Sequence, residues 1–527
     1  MSERYDAVVV GSGPNGLVAA ITLARSGRSV LLAEAAPALG GALATEELTL
    51  PGFHHDVFSA VHPAAVASPV LAELELGRHG LRWIHPELAM VHPLPAGRAV
   101  VLSRDLVRTR TNLDALAAGD GQRWQALVEP YLRHWDAVRA TMLAGFPPTT
   151  GPLKLVAGLK LQGSLEFARL LLSSAETLAG EVFRGEGAAW LYGSSLHGDA
   201  PLDAAGSAIS GVYLNLLGHA VGWPSAEGGA GRVADALAAC LHEHGGHTRT
   251  SAGAERIHAR HGRVSAVTLA GGDTIQTRIV VATTTPHSLV AMAGDALGDA
   301  YMRRALRFRY GPQTVKLDWA LDAPIPWENA DARRAGTIHV GGTAGELRAA
   351  LAEVAGGRLP EQPFLLSGSQ SVADPTRAPA GKHTMWAYTH TPPGVEWTRE
   401  RTRERFADTI ERQIERFAPG FRERVLARHV MTPRDLESRN PSLPGGDVGH
   451  GSYAMDQLIF RPVPSLNPYA TPVRGLFIGG ASTFPGGAVH GVNGHAAARA
   501  ALRQARIPHV PRQRWGSRRA LAGRDTG

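Results

Sequence analysis

An α/β fold with a parallel sheet, and a second domain threaded through it, is what this 527-residue sequence predicts. Three observations predict it. A strand–glycine turn–helix–strand unit occupies the first 35 residues, and a second strand–glycine loop–helix returns more than 460 residues later. Between residues 101 and 224 lie long amphipathic helical patterns that a simple alternation of strands and helices does not need.

The elements follow in order. Residues 5–10 are a short apolar, β-branched run ending at Gly11, and residues 15–26 read as a helix with Leu17, Ala20, Ile21 and Ala24 on one face. Gly27 stops it and residues 29–33 form the next strand, a βαβ unit that implies parallel pairing. Trp124, Leu127, Val128, Tyr131, Leu132, Trp135, Val138 and Met142 recur at helical spacing, as do Leu165, Ala168, Leu170 and Leu171 after the Pro147-Pro148 break. The turn Gly228-Gly229-Ala230-Gly231 leads into a helix from Val233. Strand patterns at 261–269 and 279–283 then return the chain to the α/β layer. Residues 314–321 read as a strand and 402–417 as a charged helix. Residues 476–479 enter a last glycine-rich turn before a helix over 494–503.

Composition narrows the function classes. Hydrophobic residues make up 44% and charged residues 19%, which excludes a disordered or fibrous chain and fits a globular enzyme. The 61 glycines point to tight turns or to backbone close to a ligand. The single cysteine, Cys240, excludes a disulfide framework, a thiolate zinc site and a CxxC redox pair, and reads as a small apolar packing residue. The net charge is +7. Only Lys154, Lys160, Lys316 and Lys382 are lysines, the other 50 basic residues being arginines, so each lysine merits inspection. No run of about 18 apolar residues exists to span a membrane. A strand pattern begins where a signal peptide would lie, so the expected location is cytoplasmic.

Gly11-Ser12-Gly13-Pro14-Asn15-Gly16 is GxGxxG between a strand and a helix. Gly11 permits the tight turn, Gly13 lets a pyrophosphate approach the backbone, and Gly16 lets helix and strand pack closely. Glu34 ends the second strand, where a carboxylate can accept hydrogen bonds from ribose hydroxyls. Gly40-Gly41 follows as if the chain passed the same ligand again. The second glycine loop, from Gly479 to Gly491, suits a long cofactor lying across the sheet, with a helix N-terminus near its ring system. That favours FAD over a nicotinamide dinucleotide.

These motifs, with Gly228-Gly229 and the stretch GLFIGGASTFPGGAVHGVNGHAA, resemble the phytoene (carotenoid) desaturase-like flavoproteins. Within them the chain is most similar to the pyridine nucleotide-disulfide oxidoreductase domain-containing protein 2 type, in the flavin-containing amine oxidase superfamily. The resemblance implies a Rossmann-like FAD-binding domain with an interleaved α+β substrate-binding domain. Residues 1–100, 225–295 and 465–505 would form the FAD-binding parts, 101–224 a helical insert, 296–464 the rest of the substrate domain and 506–527 a basic tail. It implies non-covalent FAD and dehydrogenation or desaturation of a lipophilic substrate. It places Gly11, Gly13, Gly16 and Glu34 at the ADP moiety, with the Ala254 backbone at the adenine. Gly480 and Ala481 fall at the diphosphate and ribityl chain, and Gly487 and Val489 beside the isoalloxazine. Two departures stand out: Ala35 and Ala36 follow Glu34 where a basic residue is frequent, and Ala481 replaces a frequent Asp.

Hydride transfer to a flavin needs mainly orientation and a dry pocket, so few acid–base groups are obligatory. Lys316, on the 314–321 strand, resembles the lysine that many relatives place by flavin N5 through a water; the alternative is an edge-strand lysine in solvent. His490, in the loop expected to face the ring, has the ordinary near-neutral pKa of a proton carrier. His54, His55 and Asp56 read as cleft wall rather than metal ligands, and Arg461-Pro462 as structural.

Arg499, Arg503, Arg506, Arg512, Arg514, Arg518 and Arg519 make the C-terminal end basic. It reads as a solvated terminus, or as a segment drawn to an anionic membrane surface. Lys154, Lys160 and Arg169, interleaved with Leu155, Leu159 and Leu165, could add an interfacial helix. The expected partners are an apolar small molecule and peripheral membrane contact, with room for a homodimer and no nucleic acid. The function expected is removal of a hydride from a C–C or C–N bond, with oxygen or a quinone as oxidant. The alternatives are a redox-neutral isomerase or saturase, and an FAD-stabilised binding or regulatory protein without turnover.

Overall fold

The computed structural model describes residues 3–506. Arg512, Arg514, Arg518 and Arg519, most of the basic tail expected from the sequence, lie outside the described residues.

The N-terminal unit forms as its pattern predicts: β1 (Ala7–Val10), α1 (Pro14–Ala24) and β2 (Val30–Ala33). β1 sits at the centre of a five-stranded, all-parallel sheet in the order 476–478, 279–282, β1, β2, 247–249. Both faces of this sheet are covered, which is why its strands read as unbroken apolar runs. Ala7 and Val9 turn toward a helical layer that includes Leu17, Ile21, Leu237 and Ala497. Val8 and Val10 turn the other way, onto an antiparallel meander (254–260, 263–269 and 274–276) with Ile257, Val267 and Ile275. Cys240 packs in the helical layer, 2% exposed, as its apolar surroundings required.

The second sheet has seven strands, in the order 425–431, 313–321, 383–391, 365–368, 335–340, 88–93, 99–102. It corrects the first domain boundary. Residues 88–100, assigned from sequence to the FAD-binding part, pair instead with this sheet together with 101–102 of the insert, strand Leu88–Pro93 running parallel to Ala335–Val340. Nothing local distinguishes a buried strand of one sheet from that of another, so only the pairing partner reveals the crossing point.

One face of the seven-stranded sheet packs through Val315, Leu317, Trp319, Met385 and Ile338 onto helix Glu400–Glu415. The opposite face meets the helical insert through Met90, Leu102 and Leu366, around Trp124 and Trp190. The expected amphipathic run is two helices, Asp120–Arg133 and Trp135–Met142, followed by Thr150–Leu172, which is broken by a kink at Lys160.

Candidate functional site

The glycine turn after β1 behaves as the fingerprint requires. Gly11 has φ +91°, and a Cβ at Gly16 would lie 1.9 Å from the Gly11 carbonyl oxygen. Gly13 differs: a Cβ there would meet nothing within 4 Å. The first and third glycines are therefore demanded by the protein's own packing, while the second fronts open space beside the α1 N-terminus, where a phosphate fits. Gly41, at φ +56°, runs so close that its added Cβ would be 3.0 Å from Gly13 Cα, whereas Gly40 packs against Leu43 and Ala234.

Glu34 does more than wait for a ribose. Its Oε2 accepts from the Ser12 amide at 2.7 Å and the Ser12 hydroxyl at 2.6 Å, and its Oε1 accepts from the Ala36 amide at 2.8 Å. A carboxylate offers about four lone-pair sites, so one remains for a ligand hydroxyl. The carboxylate thus also stiffens the turn that holds the pyrophosphate. Ala254 opens the meander, following Gly253, whose added Cβ would meet Ala35 at 3.0 Å.

The C-terminal loop, between strand Leu476–Ile478 and helix Val492–Arg506, folds against this cradle. A Cβ at Gly480 would strike the Thr284 carbonyl at 2.6 Å, and Ala481 beside it keeps accessible surface. One at Gly494 would lie 1.8 Å from the Asn15 carbonyl. The two helix N-termini therefore converge, both directing free amides toward one region. Gly487 donates its amide to Tyr453 Oη at 3.0 Å, and Ala488 takes φ +111°, unusual for a residue with a side chain. Val489, expected beside the isoalloxazine, turns its side chain into the core of the dinucleotide domain, leaving only its backbone for a ligand.

His490 is a correction. It is 1% exposed, its Nδ1 accepts from the Val492 amide at 3.1 Å, and its carbonyl accepts from Ser68 Oγ at 2.7 Å. Burial holds its pKa down to about 4, against the pull of the Gly486 and Gly487 carbonyls. The ring is a neutral brace of the loop, not the near-neutral titrating group anticipated. Arg461, read as structural, is fully buried beneath the same loop, donating to the Ser482 and His450 carbonyls and stacking on Tyr453 at 5.1 Å.

Lys316 is neither an edge residue nor in solvent. Strand Gln313–Leu321 lies inside the sheet, and the lysine is 4% exposed with Nζ at 2.6 and 2.5 Å from the two Asp318 oxygens. His55 Nδ1 stands 3.7 Å from Asp318, and His55 Nε2 pairs with Thr49 Oγ1 at 2.7 Å. Burial first, then the Lys316 and Arg377 charges, drive the His55 pKa down to about 3. Asp318 is pushed up by burial, with Lys316 pulling it back. Beside them Asp56 takes Arg377 at 2.8 Å and the Ala230 amide at 2.7 Å, at the start of helix Gly231–Glu243. The His55–Asp56 segment, expected as cleft wall, is a buried charge cluster joining the two domains. Among the described residues no group of three or more acidic, His or Cys side chains could hold a metal.

The same sheet face continues through Trp386, Tyr388 and His390, cross-strand neighbours of Asp318, Lys316 and Thr314. Tyr388, His390 and Tyr453 lie deep in the molecule yet keep accessible side-chain surface, as residues lining an internal cavity do. Asp199 pairs with His390 at 2.7 Å. A Cβ on Gly449 would lie 2.5 Å from Asp199, and one on Gly487 would lie 2.7 Å from the Gly449 carbonyl. Asp199 is therefore packed, through Gly449, against the C-terminal glycine loop. Sequence reasoning missed Asp318, Arg377, Tyr453 and Asp199, none of which lies in a motif.

The described glycine turns fit a dinucleotide with a ring system at the second loop, and comparisons with known proteins agree. The family model described as flavin containing amine oxidoreductase matches residues 15–505. The rat (Rattus norvegicus) pyridine nucleotide-disulfide oxidoreductase domain-containing protein 2 is 30% identical, over 95% of this chain and 94% of its own. A hydroxyneurosporene desaturase of Cereibacter sphaeroides is 26% identical, over 92% of this chain and 94% of its own. Among solved structures, putrescine oxidase bound to putrescine aligns with a TM-score of 0.59 at 16% identity, covering 96% of this chain and 99% of that one.

Proposed function

Because the chain belongs to the flavin containing amine oxidoreductase family and is an FAD-dependent oxidoreductase, we propose that it dehydrogenates a C–C or C–N bond of a largely apolar substrate, with oxygen or a quinone as oxidant. The observation that carries this reading is the aromatic cavity wall of Trp386 and Tyr388, stacked at 6.2 Å, on the sheet face that also bears Lys316. FAD, when bound, supplies the two-electron redox chemistry. The chain's own residues do the rest. The Gly13 and Gly41 backbone and the Gly480–Ala481 turn would hold its diphosphate, and the wall would keep water away from the reacting carbon.

Lys316 is a fixed cation in this wall, suited to orienting a water or drawing in oxygen, and Asp318 holds it in place. Lys316→Met alone would strand a buried carboxylate at a cost of about 3–5 kcal/mol, so the decisive variant is Lys316→Met with Asp318→Asn. After photoreduction, its reoxidation by oxygen is expected to slow about tenfold with flavin retained, a barrier rise of about 1.4 kcal/mol. Unchanged rates would leave the pair a purely structural bridge. For the reaction itself, anaerobic addition of the true substrate should bleach the oxidised flavin. A preparation that takes up no FAD sinks the reading.

Peripheral membrane contact is a second proposal, favoured by helix Thr150–Leu172. Of the leucines expected to meet lipid, Leu165 is exposed, Leu159 is half-buried and Leu155 is buried; Leu153, Val156, Leu161 and Leu172 join Leu165 in being more than half exposed. Lys154 lies on this helix and Lys160 at its kink, where φ is +57°, an arrangement suited to an anionic lipid surface. No helix of the described residues is long and apolar enough to cross a membrane. The protein is expected to float with phosphatidylglycerol vesicles, and Leu161→Glu/Leu165→Glu to stay in the dense fraction. A wild type that never floats removes this contact.

A further inference from the structure

We propose that the cavity ends in a recognition site for a hydrogen-bond-accepting oxygen, formed by His197 with His339 behind it, so that the substrate is an apolar molecule carrying a carbonyl or carboxylate. His197 lies in the short turn Leu196–Gly198, and His339 on strand Ala335–Val340. Their Nε2 atoms are 3.0 Å apart. Only one of the two nitrogens can carry the shared proton, and His339 decides which. His339 Nδ1 is buried without a partner, and Gly193 crowds it so closely that a Cβ there would lie 3.2 Å away. A proton on that nitrogen would have no acceptor, at a cost of about 1–3 kcal/mol. His339 therefore carries its proton on Nε2 and donates it to His197.

The consequence falls on His197. With Nε2 accepting, its own proton sits on Nδ1, for which the described residues provide no partner. Nδ1 itself remains accessible, and the side chain, though deep in the molecule, keeps accessible surface. Its ring is held by Trp223, edge-on at 5.8 Å. His197 thus offers one oriented, neutral N–H to the cavity, two residues along the chain from Asp199, which packs through Gly449 onto Gly487. An ammonium group would find no acceptor at His197, and Asp199 is already engaged by His390. A neutral donor in an aromatic surround selects an oxygen acceptor on an apolar body.

This rests on the proposed function only in taking the cavity to be the substrate's. The test uses the FAD-loaded protein and three probes of one chain length, methyl nonyl ketone, undecanoate and undecane, titrated calorimetrically so that no flavin signal is needed. The ketone or the carboxylate is expected to bind about tenfold more tightly than the hydrocarbon. His197→Phe, which keeps the ring against Trp223, is expected to erase that preference with undecane binding unchanged. His339→Phe reports its positioning role: imidazole nitrogen chemical shifts of His197 should pass from one tautomer to a mixture. Which oxygenated probe prevails separates carbonyl from carboxylate. Equal affinity for undecane, a preference surviving His197→Phe, or no binding of any probe overturns the proposal. Such a result leaves the flavin chemistry standing, which only failure to take up FAD would remove.

Discussion

Gly494→Ala is expected to yield protein with little or no bound flavin, although residue 494 belongs to no phosphate-binding fingerprint. The added Cβ would lie 1.8 Å from the Asn15 carbonyl oxygen and 2.6 Å from its carbonyl carbon, against backbone that cannot rotate away. Relief requires helix Val492–Arg506 to move off α1 by more than an ångström. That separates the two helix N-termini whose convergence forms the site. Overpacking of this kind costs about 1–3 kcal/mol where side chains can yield, and more where they cannot. Gly13→Ala is the contrast: its Cβ would meet nothing within 4 Å, so fold and thermal midpoint should hold while FAD affinity falls. Gly180→Ala is the control, in helix Ala175–Val182 with open space around it, and should stabilise by about 0.5–1 kcal/mol. The ratio of flavin to protein absorbance and a melting curve separate the three. Normal flavin content in Gly494→Ala would show that the helices need not touch for binding.

That contrast also marks what a sequence can disclose. The cradle was legible because its parts are contiguous: Gly11, Gly13 and Gly16 sit within six residues, and β1, α1 and β2 have clean periodicities. The C-terminal loop was legible for the same reason. Gly494 was not, because the carbonyl it must avoid is almost 480 residues away. Strand Gln313–Leu321 failed differently. Its alternation of Thr314, Lys316 and Asp318 with Val315, Leu317 and Trp319 is plain, but a polar face ordinarily means solvent. Here it means a cavity, and only the neighbouring strands Val425–Met431 and His383–Thr391 reveal that Lys316 is enclosed. The His197–His339 pair joins an insert turn to a distant strand, and neither residue carries a local signal. His490 misled through the opposite fault: its motif is specific, but burial converts a titratable side chain into a neutral brace.

Acid is expected to unfold this protein well above the pH at which carboxylates alone would do so. Beyond His339, which burial pushes well below its ordinary value, six histidines are held neutral by burial: His55 and His197 have pKa values lowered to about 3, and His62, His92, His219 and His490 to about 4, burial being the first cause in each. In the unfolded chain each titrates near 6.5. Between those limits the unfolded state binds more protons, so stability is complete above pH 6.5 and falls as pH drops. Each histidine contributes about 1.4 kcal/mol per pH unit, and at pH 5 the six together remove of the order of 10 kcal/mol, comparable with the whole stability of a typical domain. Two groups oppose this. Burial is the largest single influence on His390, but Asp199, Asp447 and the Gln313 carbonyl together raise it, and Asp318 is raised by burial, so both hold the folded state together on acidification. Two against six do not reverse the sign. The FAD-saturated protein should therefore melt highest above pH 6.5 and unfold at room temperature between about pH 5 and 4. His62 isolates one contribution, since both its ring nitrogens are buried without partners. His62→Leu should flatten the dependence by one proton, about 1.4 kcal/mol per pH unit. A melting temperature constant from pH 7 to 5 would mean that these imidazoles gain solvent or partners in the native state, and the neutral tautomer assigned to His197 would lose its basis with them.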